Sequence, residues 1–133
     1  FMAQLPKGQF SPQDFVKHLE SFIVREACLT PAEATAFFPI FHELHDKQRG
    51  INWQIRELKK KAAGSLEDKD YYNLIKEINK LKIESAELED VYYKKMCKAV
   101  PARKVHEAMQ AEDRFHRRML RKFSNRPDRS KQK

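Results

Sequence analysis

Apolar residues recur along this chain at alternating spacings of three and four, the period of one helix face. The first such face is Phe15, Leu19, Phe22 and Ile23. It is entered through Ser11-Pro12-Gln13-Asp14, where Ser caps, Pro takes the first helical position and Asp14 stands where a capping-box acid would. This short helix ends near Cys28. Thr30-Pro31-Ala32-Glu33 is a full T-x-x-E box, and Phe37, Phe41, Leu44, Ile51, Ile55, Leu58 and Ala62 follow it in register. Gln48 fills the one missing seam position, so a helix is predicted over about 31–62. Pro39 has no N–H to offer the preceding turn, which predicts a bend rather than a break, and Gly50 weakens the middle.

Gly64 suits a helix C-terminus, and Ser65-Leu66-Glu67-Asp68 starts the next helix. Tyr71, Leu74, Ile78, Leu81, Ser85, Leu88 and Tyr92 carry that helix over about 66–99. Two long helices joined by so short a turn must double back as an antiparallel hairpin. Pro101 opens a fourth helix with the seam Val105, Ala108 or Met109, Phe115, Met119 and Phe123. The expected organisation is therefore all-α: an extended arm over 1–10, a single helical domain over 11–123, and a basic flexible tail over 124–133.

Composition agrees. Of 133 residues, 35% are charged, against about 25% in an average domain, and only 3 are Gly. Such a chain suits one domain of long helices rather than a many-stranded fold. No stretch approaches the ~20 apolar residues of a membrane span. Cys28 and Cys97 are too few for a disulfide scaffold and too far apart for a CxxC motif. A hairpin turning near residue 65 brings position 97 beside about 33, so the two cysteines either bridge in an oxidising compartment or stay as buried thiols.

Charge is uneven. Of the net +8, residues 100–133 carry +7, with Arg114, Arg117, Arg118, Arg121 and Lys122 on neighbouring faces of the fourth helix. Such a patch attracts any polyanion, whether nucleic acid, anionic lipid or acidic protein, or else simply solubilises the chain. On the second helix, Phe38, His42, His45, Arg49, Trp53, Arg56 and Lys60 form a strip of aromatic groups interleaved with cations. That strip either binds apolar and anionic groups together or packs its rings inward. The third helix is apolar on two adjacent stripes, with Tyr71/Tyr72, Leu74/Ile75, Ile83 and Tyr92/Tyr93, so one of them needs a helix, a second subunit or a client to cover it. The expected protein-binding residues are Phe38, Arg49, Trp53, Arg56, Lys60, Tyr72, Tyr93, Arg117 and Arg121.

Catalytic chemistry finds no support: there is no phosphate loop, no nucleophile elbow and no Cys–His set. His42, His45 and Asp46 have a ligand-like spacing but lack the HExxH pattern, so no metal and no cofactor are expected.

Leu29-Thr30-Pro31-Ala32-Glu33, followed by Ala34-Thr35-Ala36-Phe37-Phe38-Pro39-Ile40-Phe41, resembles the Spy/CpxP-like periplasmic proteins with the LTxxQ motif, notably exported relatives from Bacteroidetes-type bacteria. The likeness spans about residues 12–123; Glu33 stands at the motif's Gln, and Val100-Pro101-Ala102-Arg103-Lys104 replaces a second motif. The start Phe1-Met2-Ala3-Gln4 reads either as the end of an export signal cleaved after Ala3 or as an arbitrary boundary. The resemblance implies a periplasmic, ATP-independent holdase or envelope-stress regulator, forming an antiparallel, cradle-like dimer that binds unfolded or partner proteins. Metal sensing is the family's other variant. A nucleic-acid-binding bundle using the basic C-terminus is the alternative from outside the family, with nucleic acid the less favoured partner.

Overall fold

A computed structural model describes residues 11–124, which form four helices and no strand. They are α1 (Pro12–Ala27), α2 (Pro31–Lys61), α3 (Asp68–Ala99) and α4 (Ala102–Ser124). The fold is all-α, and the helices stand where the apolar periodicity places them. The arm over 1–10 and the tail beyond Ser124 lie outside the described residues.

The boundaries follow from local chemistry. Ser11 accepts the Asp14 N–H at 3.1 Å and opens α1. Thr30 and Glu33 form a reciprocal box at the start of α2: Glu33 Oε1 accepts the Thr30 N–H at 2.9 Å, and Thr30 Oγ1 accepts the Glu33 N–H at 3.1 Å. α2 then continues through Pro39 to Lys61. α3 starts at Asp68, two residues later than the periodicity suggests, because the Asp70 carboxylate accepts the Glu67 N–H at 3.2 Å and makes Glu67 the cap.

Gly64 does not supply a left-handed helix end. α2 instead closes through i→i+3 bonds from Ala62, Ala63 and Gly64 back to the carbonyls of Lys59, Lys60 and Lys61. The left-handed residue is Cys28, φ 55°, which ends α1; the Leu29 N–H bonds the Val24 carbonyl at 3.1 Å and the Leu29 side chain is buried behind it.

Length suggests one domain, whereas contacts gather the chain into two compact units. Among the described residues, the first is 11–34 together with 101–124, and the second is Thr35–Val100. In the first, α1 and α4 bury their apolar faces on each other. The Phe115 ring inserts between Phe15 and Phe22, with centroids 5.5 and 5.6 Å away. Val105, Ala108 and Ala111 extend the α4 side, and Leu19, Ile23 and Ala27 the α1 side. Two polar ties connect distant segments within this unit, Lys104 to Glu33 at 2.7 Å and Arg114 to Glu26 at 3.0 Å.

The second unit is the antiparallel hairpin. Tyr92 donates its hydroxyl to Glu43 at 2.6 Å, and Gln48 Nε2 reaches Ser85 Oγ and Glu89 Oε2, each at 3.0 Å. Partner numbers fall as the first helix advances, which is antiparallel pairing. Gln48 and Ser85 are the polar members of the two apolar seams, and they meet. Burial is graded along the hairpin. Phe37, Phe41, Leu44, Met96 and Val100 are sealed, whereas Leu74, Ile78, Leu81 and Leu88 toward the turn are only half-buried.

Candidate functional site

The aromatic–cationic strip on α2 divides in two. Its first half turns inward: Phe38 is 8% exposed and packs on Phe37 and Phe41 with centroids at 5.2 and 5.9 Å. Phe38 is thus a core residue and is withdrawn from the protein-binding set, because a ring held among two others has no face to offer. His42 stacks on Phe38 at 5.8 Å, and His45 donates Nδ1 to the Phe41 carbonyl at 2.9 Å. Asp46 pairs with Arg49. These contacts occupy the three residues with ligand-like spacing, and among the described residues no group of three His, Cys, Asp or Glu converges on one point.

The second half faces water. Trp53 is 55% exposed, Arg49, Arg56 and Lys60 are exposed, and Lys60 pairs with Glu57 at 3.2 Å. Trp53 forms one wall of an open groove of about 450 Å³ between the helices. Leu58 and Leu81 supply its apolar surface, and Lys61, Lys80, Glu77 and Glu84 its charges.

α3 presents a second surface. Tyr72, Ile75 and Ile83 are 61%, 66% and 51% exposed. By ~100° per residue their stripe is centred roughly 140° around α3 from the groove residues Glu77, Lys80, Leu81 and Glu84, so stripe and groove are distinct faces that adjoin at Ile83 and Lys80, roughly 60° apart. Lys76 Nζ sits 5.4 Å from the Tyr72 centroid, so apolar area and positive charge are joined there. Tyr93 is half-buried and Tyr92 buried, so the Tyr pair near the end of α3 is mostly structural. Arg117 and Arg121 are exposed, but on α4 in the other unit.

Two titrating groups are held away from their ordinary values. The Lys104 ammonium and the Thr30 N–H hold the Glu33 carboxyl below its usual range. The Glu43 carboxylate, accepting from the Tyr92 hydroxyl, pushes the phenol up. Both are structural ties within their units. Cys28 and Cys97 are free thiols and both exposed, which corrects the expectation of a buried or bridged pair.

The expected protein-binding residues do not include Ile75, Ile83, Leu58 and Leu81, which the structure places on these surfaces. Ile75 and Ile83 belong to the double apolar stripe of α3, whereas Leu58 and Leu81 belong to the two hairpin seams, and none of the four is an aromatic or cationic residue. Comparison with family models, curated proteins and solved structures finds no match to this chain. No described helix is long and apolar enough to cross a membrane.

Proposed function

We propose that this chain is a non-enzymatic, ATP-independent, chaperone-like protein that holds apolar segments of unfolded proteins against its α2–α3 hairpin. The observation carrying this reading is the exposure of Trp53, Tyr72, Ile75 and Ile83 on an otherwise charged hairpin. Large apolar groups gathered on a charged surface mark interaction sites. Lysines beside them, Lys76 at Tyr72 and Lys80 at the groove, add long-range attraction for acidic stretches of a client. The surface is shallow and divided, so each contact is weak and a client can leave and fold. The likeness of Leu29–Glu33 to the LTxxQ motif supports the same reading, and with it an exported location and a dimer in which a second copy completes the binding face.

The test is light scattering from a reduced, unfolding test protein. Suppression at equimolar chain is expected, and a variant carrying Trp53→Ala, Tyr72→Ala, Ile75→Ala and Ile83→Ala should lose most of it at unchanged helicity. Undiminished scattering with the wild-type chain overturns the proposal.

A further inference from the structure

The hairpin accounts for little of the net positive charge, because its lysines and arginines are nearly balanced by acids. Of the net +8, +7 follows Pro101, and in α4 the span 113–122 holds Arg114, Arg117, Arg118, Arg121 and Lys122 against a single acid, Asp113. Spacings of three and four set these cations in two adjacent rows over the last turns of the helix. α1 adds Arg25. Arg25 and Arg118 both lie over the Phe22 ring, at 5.3 and 5.1 Å from its centroid, and Arg114 is tied to Glu26. The patch is therefore partly pre-ordered, since ring and carboxylate restrict guanidinium groups that would otherwise sweep freely. Leu120, 67% exposed, stands roughly 60° around α4 from Arg117, so an apolar side chain projects from a cationic field.

We infer that this end of α4, with Arg25, adsorbs to an anionic lipid bilayer, guanidinium groups meeting lipid phosphates and Leu120 entering the headgroup region. Guanidinium is the cation suited to phosphate, because its planar fork donates two parallel hydrogen bonds. A folded protein partner would need an apolar interface core, and Leu120 alone does not supply one. Nucleic acid would use the charge and leave Leu120 in water. Adsorption is peripheral rather than inserted, because the apolar face of α4 is already occupied by the packing of Phe115 between Phe15 and Phe22.

The experiment is co-sedimentation of the full chain with vesicles of phosphatidylcholine containing 30% phosphatidylglycerol (about one lipid in three, within the range over which polybasic segments respond), and with phosphatidylcholine alone. Binding to the anionic vesicles only, weakening steeply as salt shortens the Debye length, is expected. Each basic residue near the surface should change the partition coefficient about fivefold, so Arg117→Gln with Arg121→Gln should lower it about 25-fold. Leu120→Gln should lower it several-fold while leaving the salt dependence unchanged. Removing 125–133 should weaken binding without abolishing the effect of the α4 substitutions. Equal binding to neutral vesicles, indifference to Arg117→Gln with Arg121→Gln, or displacement from anionic vesicles by a mixed-sequence oligonucleotide at equal phosphate would each overturn the inference. Circular dichroism of each variant separates loss of binding from loss of fold.

Discussion

Glu33 serves two partners at once, closing the box with Thr30 and accepting Lys104 from α4. A carboxylate held this way has its folded pKa below its unfolded value near 4.5. Its contribution to stability is therefore present above the unfolded value and is lost as pH falls through the folded one. Thermal unfolding should show a stability loss on acidification that is smaller in Glu33→Gln, which keeps a hydrogen-bonding side chain but no charge. Cys28 is the reverse kind of residue, one whose side chain works against its backbone. A non-glycine residue in the left-handed region costs roughly 1–2 kcal/mol, so Cys28→Gly should raise the stability of the α1–α4 unit by about 1 kcal/mol in denaturant titration. Phe115 is the opposite case again. Its ring joins Phe15 and Phe22, and Phe115→Ala should cost roughly 3–5 kcal/mol by the same measurement.

At the scale of elements, the hairpin combines an apolar seam with a few polar ties. Gly50 lies within α2 with open space where a Cβ would stand. Gly50→Ala should therefore stabilise the hairpin by roughly 0.5–1 kcal/mol. Gln48 and Ser85 fix register rather than add much stability. Replacing both, Gln48→Leu with Ser85→Ala, should leave the unfolding free energy within about 1 kcal/mol of the parent but broaden the hairpin's amide spectrum as alternative registers become accessible. The Tyr92–Glu43 bond favours the protonated phenol, so its contribution holds below the ordinary tyrosine value near 10 and disappears as pH rises through the raised one. The helices themselves were readable in advance because caps and periodicity act locally: Ser11, Thr30–Glu33 and Pro101 each announce a start within four residues. Gly64 misled for the same reason. Its backbone freedom allows a left-handed end without requiring one, and i→i+3 bonds closed the helix instead. Nothing nearby in the chain announces Cys28 as the residue that does turn left-handed.

For the whole molecule, the grouping into two units could not be read from periodicity. It depends on which apolar faces meet, and α1 meets α4 across the full length of the hairpin sequence. The candidate surface was legible only in part for the same reason. Phe38 and Trp53 occupy equivalent positions on one helical strip, yet Phe38 falls where Phe37 and Phe41 close around it and Trp53 falls toward the thinner, half-buried end. The proposed activities also divide by unit, client capture on the hairpin and lipid adsorption on α4. Substitutions at Ile75 and Ile83 should therefore reduce suppression of aggregation while leaving vesicle sedimentation unchanged, and those at Arg117 and Arg121 should do the reverse.

The chain has a single tryptophan, and it stands in the mouth of the groove. Its fluorescence is accordingly a built-in local probe: long-wavelength emission in the free protein and a blue shift when an apolar side chain displaces water beside it. One unlabelled spectrum then tells whether a given ligand has occupied the groove.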